Sequence, residues 1–138
     1  ISANDDHITY LFLNDKKDSL AVNPESDLAY FVYDGNNMVL AGNNYIANRH
    51  VDFPFEVELE EYITAEPQLF TISGKTYIAL TTEKDQVTLL NQNGKIVSGF
   101  PVYGNSYAAL GQFKKGGTPY LVCGTKDGTL YLYRVSLN

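Results

Sequence analysis

The sequence predicts an all-β fold of β-propeller blades: three four-stranded antiparallel repeats, the last lacking its outer strand. Three observations carry this expectation. A shift of 57 residues lays 19–42 without a gap onto 76–99, and a shift of 43 lays 77–90 onto 120–133. Leu13, Phe70 and Phe113 then coincide, as do Ile8, Ala65 and Ala108. Finally, the repeated segments are rich in β-branched and aromatic residues and show no helical period. The repeats run over about 8–64, 65–107 and 108–138, within a single domain spanning 1–138.

Each element has a local reason. In the first copy strands are expected at 8–13, 19–22 and 28–33, then the turn Asp34-Gly35-Asn36 and a short strand at 38–40. The second copy has strands at 68–72, 76–82 and 86–91, a turn at Gln92-Asn93-Gly94 and an outer strand near 95–97. The third has strands at 108–113, 119–125 and 129–135. Tyr77-Ile78-Ala79-Leu80 and Tyr120-Leu121-Val122-Cys123 are continuously apolar, which suits strands covered on both faces. Glycine and Asn/Asp fall where the chain reverses, at Asp34-Gly35, Asn93-Gly94, Gly116-Gly117 and Asp127-Gly128. Glu56, Glu58 and Glu60 alternate with Val57 and Leu59, a period of two that reads as an exposed edge strand.

Composition narrows the function. With 44% hydrophobic and 19% charged residues the chain is globular rather than disordered. A net charge of -6 argues against tracking nucleic-acid phosphates and against anchoring on anionic lipid. No stretch has the length and hydropathy of a membrane helix, so membrane insertion is not expected. Cys123 has no second cysteine to pair with and reads as a small buried hydrophobe. The chain begins with Ile1, from which a removed leader or a longer parent is expected.

The second copy, with Pro67-Gln68-Leu69-Phe70, Val87-Thr88-Leu89-Leu90-Asn91, Asn93-Gly94-Lys95 and Gly99-Phe100-Pro101-Val102, resembles extracytoplasmic β-propeller repeats of the FG-GAP and quinoprotein-like type. Residues 120–133 are similar to the same blade core, and the Phe-Pro pair recurs at Phe53-Pro54. The resemblance implies a periplasmic or extracellular location. It also implies calcium loops rich in Asp and Asn between the first two strands of a blade. The sequence departs from that pattern: the second and third copies have Ile72-Ser73-Gly74-Lys75 and Lys114-Lys115-Gly116-Gly117 there. Only Asn14-Asp15-Lys16-Lys17-Asp18 keeps acids, and its lysines oppose a cation, so a solvated turn is expected.

No catalytic constellation emerges. His7 and His50 stand 43 residues apart without metal-ligand spacing, and no Gly-x-Ser-x-Gly elbow or phosphate-cradling glycine loop exists. A quinoprotein-like enzyme would need stacking tryptophan, and there are 0 tryptophans. No enzyme activity, cofactor or metal is therefore expected. Residues 43–52 exceed the repeat and read as an inserted loop whose Asn, Tyr, Arg and His suit polar recognition. Asn44, Tyr45, Asn48, Arg49 and His50 are the candidate partner-binding residues. The reading is a non-catalytic binding or scaffolding module that engages a protein or glycan through rim loops. The alternatives are purely structural blades closing a larger propeller and, with less support, a remnant of a quinoprotein-like enzyme. Three blades leave apolar flanks bare, so completion by a homodimer or by further blades is expected.

Overall fold

The structure is a computed structural model. It describes residues 29–137 fully and, before them, the backbone of three strands only. These are β1 (Ser2–Ala3), β2 (Ile8–Leu13) and β3 (Lys16–Ala21), which form an antiparallel sheet in the order β1-β2-β3. The Asn14–Asp18 turn and His7 lie outside the residues whose side chains are described.

The second sheet is a four-stranded meander of β4 (Tyr30–Tyr33), β5 (Met38–Gly42), β6 (Tyr45–Asn48) and β7 (Phe55–Glu58). The third repeats that order with β8 (Gln68–Ile72), β9 (Lys75–Thr82), β10 (Gln86–Leu90) and β11 (Val102–Tyr103). The fourth has three strands, β12 (Ala109–Gln112), β13 (Pro119–Gly124) and β14 (Leu130–Arg134). The chain is thus all-β, its fully described part being antiparallel sheets of four, four and three strands without barrel closure.

The first-copy assignment is corrected. Its strands belong to two sheets, because Tyr30–Tyr33 opens the second sheet instead of closing the first. The 57-residue match misleads because Asp34 and Asn91 anchor the same kind of turn. The Asp34 carboxylate accepts the Asn36 and Asn37 N–H groups, and the Asn91 amide oxygen accepts those of Asn93 and Lys95. After the first turn comes the five-residue strand β5. After the second there is only a bridge between Leu90 and Ile96, so the outer strand expected near 95–97 is instead β11. Residues 43–52 are not an inserted loop either: Asn43 and Asn44 are a two-residue turn that leads directly into the buried strand β6.

The second, third and fourth sheets stack face on face. Val39, Ala41, Ile46 and Phe55 of the second pack against Ile78, Leu80 and Leu90 of the third. On its other side the third sheet offers Tyr77, Ala79, Val87 and Leu89 to Leu110, Leu121, Cys123 and Val135 of the fourth. Both parities of β9 and β10 are therefore buried, which explains their unbroken apolar sequence. β7 is the expected edge strand, with Glu56 and Glu58 exposed and Phe55 buried.

Candidate functional site

A meander puts its first and third turns at one end and its second turn at the other. The turns β4–β5, β6–β7, β8–β9 and the segment after β10 therefore share one rim. There they enclose a cavity of about 220 Å³ lined by Asn48, His50, Asp52, Phe53, Thr76 and Gln92, among others.

The floor is an amide–carboxylate network. Asn48 Nδ2 donates to Asn37 Oδ1 at 2.8 Å, and Asn48 Oδ1 accepts the Met38 N–H at 3.2 Å. Asn37 Nδ2 in turn donates to Asp34 Oδ2 at 3.1 Å and to Thr76 Oγ1 at 3.3 Å. Asn37 and Asn48 are buried, and each spends its amide on protein groups: Asn48 braces Asn37 within the second sheet, and Asn37 carries the link to Thr76 of the third. Burial resists ionisation of Asp34, but the hydrogen bonds from Asn37 and Asn36 outweigh it and hold the carboxyl below its ordinary range.

The wall is different. His50 Nδ1 accepts the backbone N–H groups of Asp52 and Phe53 at 3.1 and 3.3 Å. That leaves Nε2 to carry the ring proton of the neutral form as a donor. The Phe53 ring lies 5.5 Å from the imidazole, tilted by 34°, and is partly exposed. Thr76 and Gln92 add a hydroxyl and an amide from the third sheet.

Of the five residues selected from the sequence, the structure brings Asn48 and His50 to this cavity and places three elsewhere. Asn44 sits in the turn at the opposite rim, donating from Nδ2 to the Leu59 carbonyl at 2.9 Å. Arg49 pairs with Glu56 across the β6–β7 connection. Tyr45 is buried in the same corner; burial, reinforced by Glu56 and opposed by Arg49, pushes its hydroxyl above the usual tyrosine range. Sequence reasoning missed Asn37, Phe53, Thr76 and Gln92. The recurring Phe-Pro pair and the clustering of turn residues at alternate connections were the signals available for them.

A second cleft, about 420 Å³, lies between the second and third sheets beside Glu58, Glu60 and Glu61. Glu61 is paired there with Lys84, whose ammonium holds the carboxyl below its ordinary range. Among the described residues no group of three or more His, Cys, Asp or Glu is placed to hold a metal ion. Compared with known proteins, the chain matches no family model and no curated sequence.

Proposed function

We propose that the chain is a non-catalytic binding module made of FG-GAP or quinoprotein-like propeller blades outside the cytoplasm, whose rim cavity takes one neutral sugar residue of a glycan. The observation that carries the reading is the pairing of a hydrogen-bonding wall with an aromatic edge in one small cavity. His50 Nε2, the Thr76 hydroxyl and the Gln92 amide offer donors and acceptors suited to sugar hydroxyls, and Phe53 offers a face for ring C–H groups. At about 220 Å³ the cavity is smaller than the roughly 300–1,000 Å³ clefts that hold drug-sized ligands, so it fits one residue of a longer chain. Neutral recognition also fits a protein of net charge -6 that sets no cation in this wall.

The test is a titration of the isotope-labelled protein with neutral hexoses and N-acetylhexosamines, read by amide chemical shifts. Binding in the range on the order of 10 mM or tighter should shift the signals of His50, Phe53, Thr76 and Gln92, and a His50→Ala, Gln92→Ala double variant should lose it. Shifts spread over other surfaces, or none with any sugar, would reject the reading.

A further inference from the structure

The cleft between the second and third sheets contains a buried hydroxyl that the protein leaves without a partner. Thr81, Thr82 and Thr88 of the third sheet are all buried. The Thr81 hydroxyl donates to the Ser106 carbonyl at 2.9 Å, and that of Thr82 to the Gln86 carbonyl at 3.3 Å. The Thr88 hydroxyl makes no hydrogen bond with a described residue, although the residue is only 6% exposed. Strand parity aims it. Val87 and Leu89 face the fourth sheet and Leu90 faces the second, so Thr88 points the way Leu90 does, into the cleft it lines. Buried polar groups are paired, so a hydroxyl without a protein partner is met by something that enters that space.

We infer that this cleft binds a primary alkylammonium group: Glu60 takes the charge, Thr88 accepts an ammonium N–H, and Leu59 and Ile96 cover the methylene stem. The surroundings select that chemistry. Glu58, Glu60 and Glu61 line the cleft, and Glu60 forms no ion pair with a described residue. These carboxylates are spread out: no three acidic groups among the described residues are placed to hold a metal ion. A compact calcium or magnesium ion, which needs converging oxygens, is therefore a poor fit. Leu59, Ile96 and Pro101 set apolar surface beside the carboxylates, and Ile96 is 52% exposed. A cation on an aliphatic stem satisfies both kinds of surface at once. The rim already accepts such a group, since the Lys84 ammonium pairs with Glu61. Its wall is also fixed in advance. The Leu59 and Ile63 N–H groups donate to the Asn44 and Asn43 carbonyls at 2.7 and 2.6 Å, and the Glu83 N–H to that of Tyr62 at 2.9 Å. At about 420 Å³ the cleft falls within the roughly 300–1,000 Å³ of small-ligand sites, and it shares no lining residue with the His50 cavity.

Amide chemical shifts of the isotope-labelled protein, followed at low ionic strength, test this with spermidine, Nα-acetyl-lysine methylamide and neutral n-pentanol. The amines should shift Glu60, Glu61, Thr88 and Ile96, with a Kd on the order of 1 mM or tighter for the better one, and pentanol should not. Tighter binding of spermidine assigns the site to a free polyamine; equal binding assigns it to a lysine side chain of a partner protein. Glu60→Gln and Thr88→Val should each weaken binding at least about threefold, whereas Thr88→Ser should keep it. Since the Thr88 hydroxyl has no partner in the protein, Thr88→Val should hold the melting temperature, which separates lost binding from lost fold. Unchanged affinity in Thr88→Val would mean that the hydroxyl meets only water and would overturn the inference. Equal shifts from magnesium chloride at the same ionic strength, or no shift at these residues with either amine, would overturn it too.

Discussion

The third and fourth sheets carry matching residues at matching positions, yet one face is core and the other is surface. Val87 and Leu89 are sealed by Leu110, Leu121 and Cys123, while Leu130 and Leu132 meet solvent. Sequence pattern specifies which way a side chain points; the presence of a neighbouring sheet determines what that direction is worth. The sharpest way to break the comparison is truncation at equivalent positions. Leu89→Ala should cost about 2–5 kcal/mol in urea unfolding, the range for a fully buried leucine that leaves a cavity. Leu132→Ala should stay within about 0.5 kcal/mol under conditions where the chain is a single copy. Equal losses in both would mean the fourth sheet's open face is covered within one chain.

The turns of the two sheets sharpen it further. Gly94 and Gly128 both hold a left-handed backbone, at φ 78° and 83°. A Cβ on Gly94 would come within 2.6 Å of the Phe55 ring, whereas one on Gly128 would meet nothing within 4 Å. Gly128→Ala should therefore cost only the left-handed penalty, about 1–2 kcal/mol. Gly94→Ala adds the displacement of a packed aromatic ring and should cost about 3 kcal/mol or more. Thermal melts of the two variants give the ordering directly, and a reversed order would show that the second and third sheets are not pinned at Phe55.

The same pair of sheets shows why some of the fold is legible and some is not. Strands β8, β9, β10, β13 and β14 stand within a residue of where the apolar runs and glycine turns put them, since two-faced burial forces an uninterrupted hydrophobic sequence. Strand β6 hides because it is short and flanked by Asn43-Asn44 and Arg49-His50, polar residues that imitate a loop. Asn43 adopts φ 51° in its tight turn, and Asn48 ends the strand inside a hydrogen-bonded network, so polarity there signals buried amides. His50 was legible as a candidate because it broke the repeat. Its partners Thr76 and Gln92 were not, because only the stacking of two sheets brings a residue 26 positions and one 42 positions away to the same cavity.

Acid provides the smallest and most selective probe, because Asp34 and Asp127 anchor turns in sheets with opposite surroundings. Asp34 lies over the buried Asn37–Asn48 pair; hydrogen bonds from Asn37 and Asn36 overcome its partial burial and depress its pKa. Asp127 is depressed by the Thr125 hydroxyl and the Thr129 N–H in a turn whose residues 126–129 are exposed. A carboxyl held below its unfolded value binds fewer protons in the folded state. Its contribution is therefore complete above the unfolded carboxylate range and disappears as pH falls through the lower folded value. Both residues predict stability that declines in acid, and both meet water, which discounts each share; Asp34 keeps the larger one through its bonds to the buried Asn37. In urea midpoints followed from neutral pH down through that window, Asp34→Asn should flatten the decline and Asp127→Asn should leave it nearly unchanged. Asparagine keeps the turn-forming Oδ1 in both variants, but at position 34 it also replaces the Oδ2 that accepts from Asn37 Nδ2, so the flattening there reads the charge and that bond together. Parallel profiles for Asp34→Asn and the unmodified chain would show that the Asn37–Asn48 network holds the two sheets together without help from the carboxylate above it.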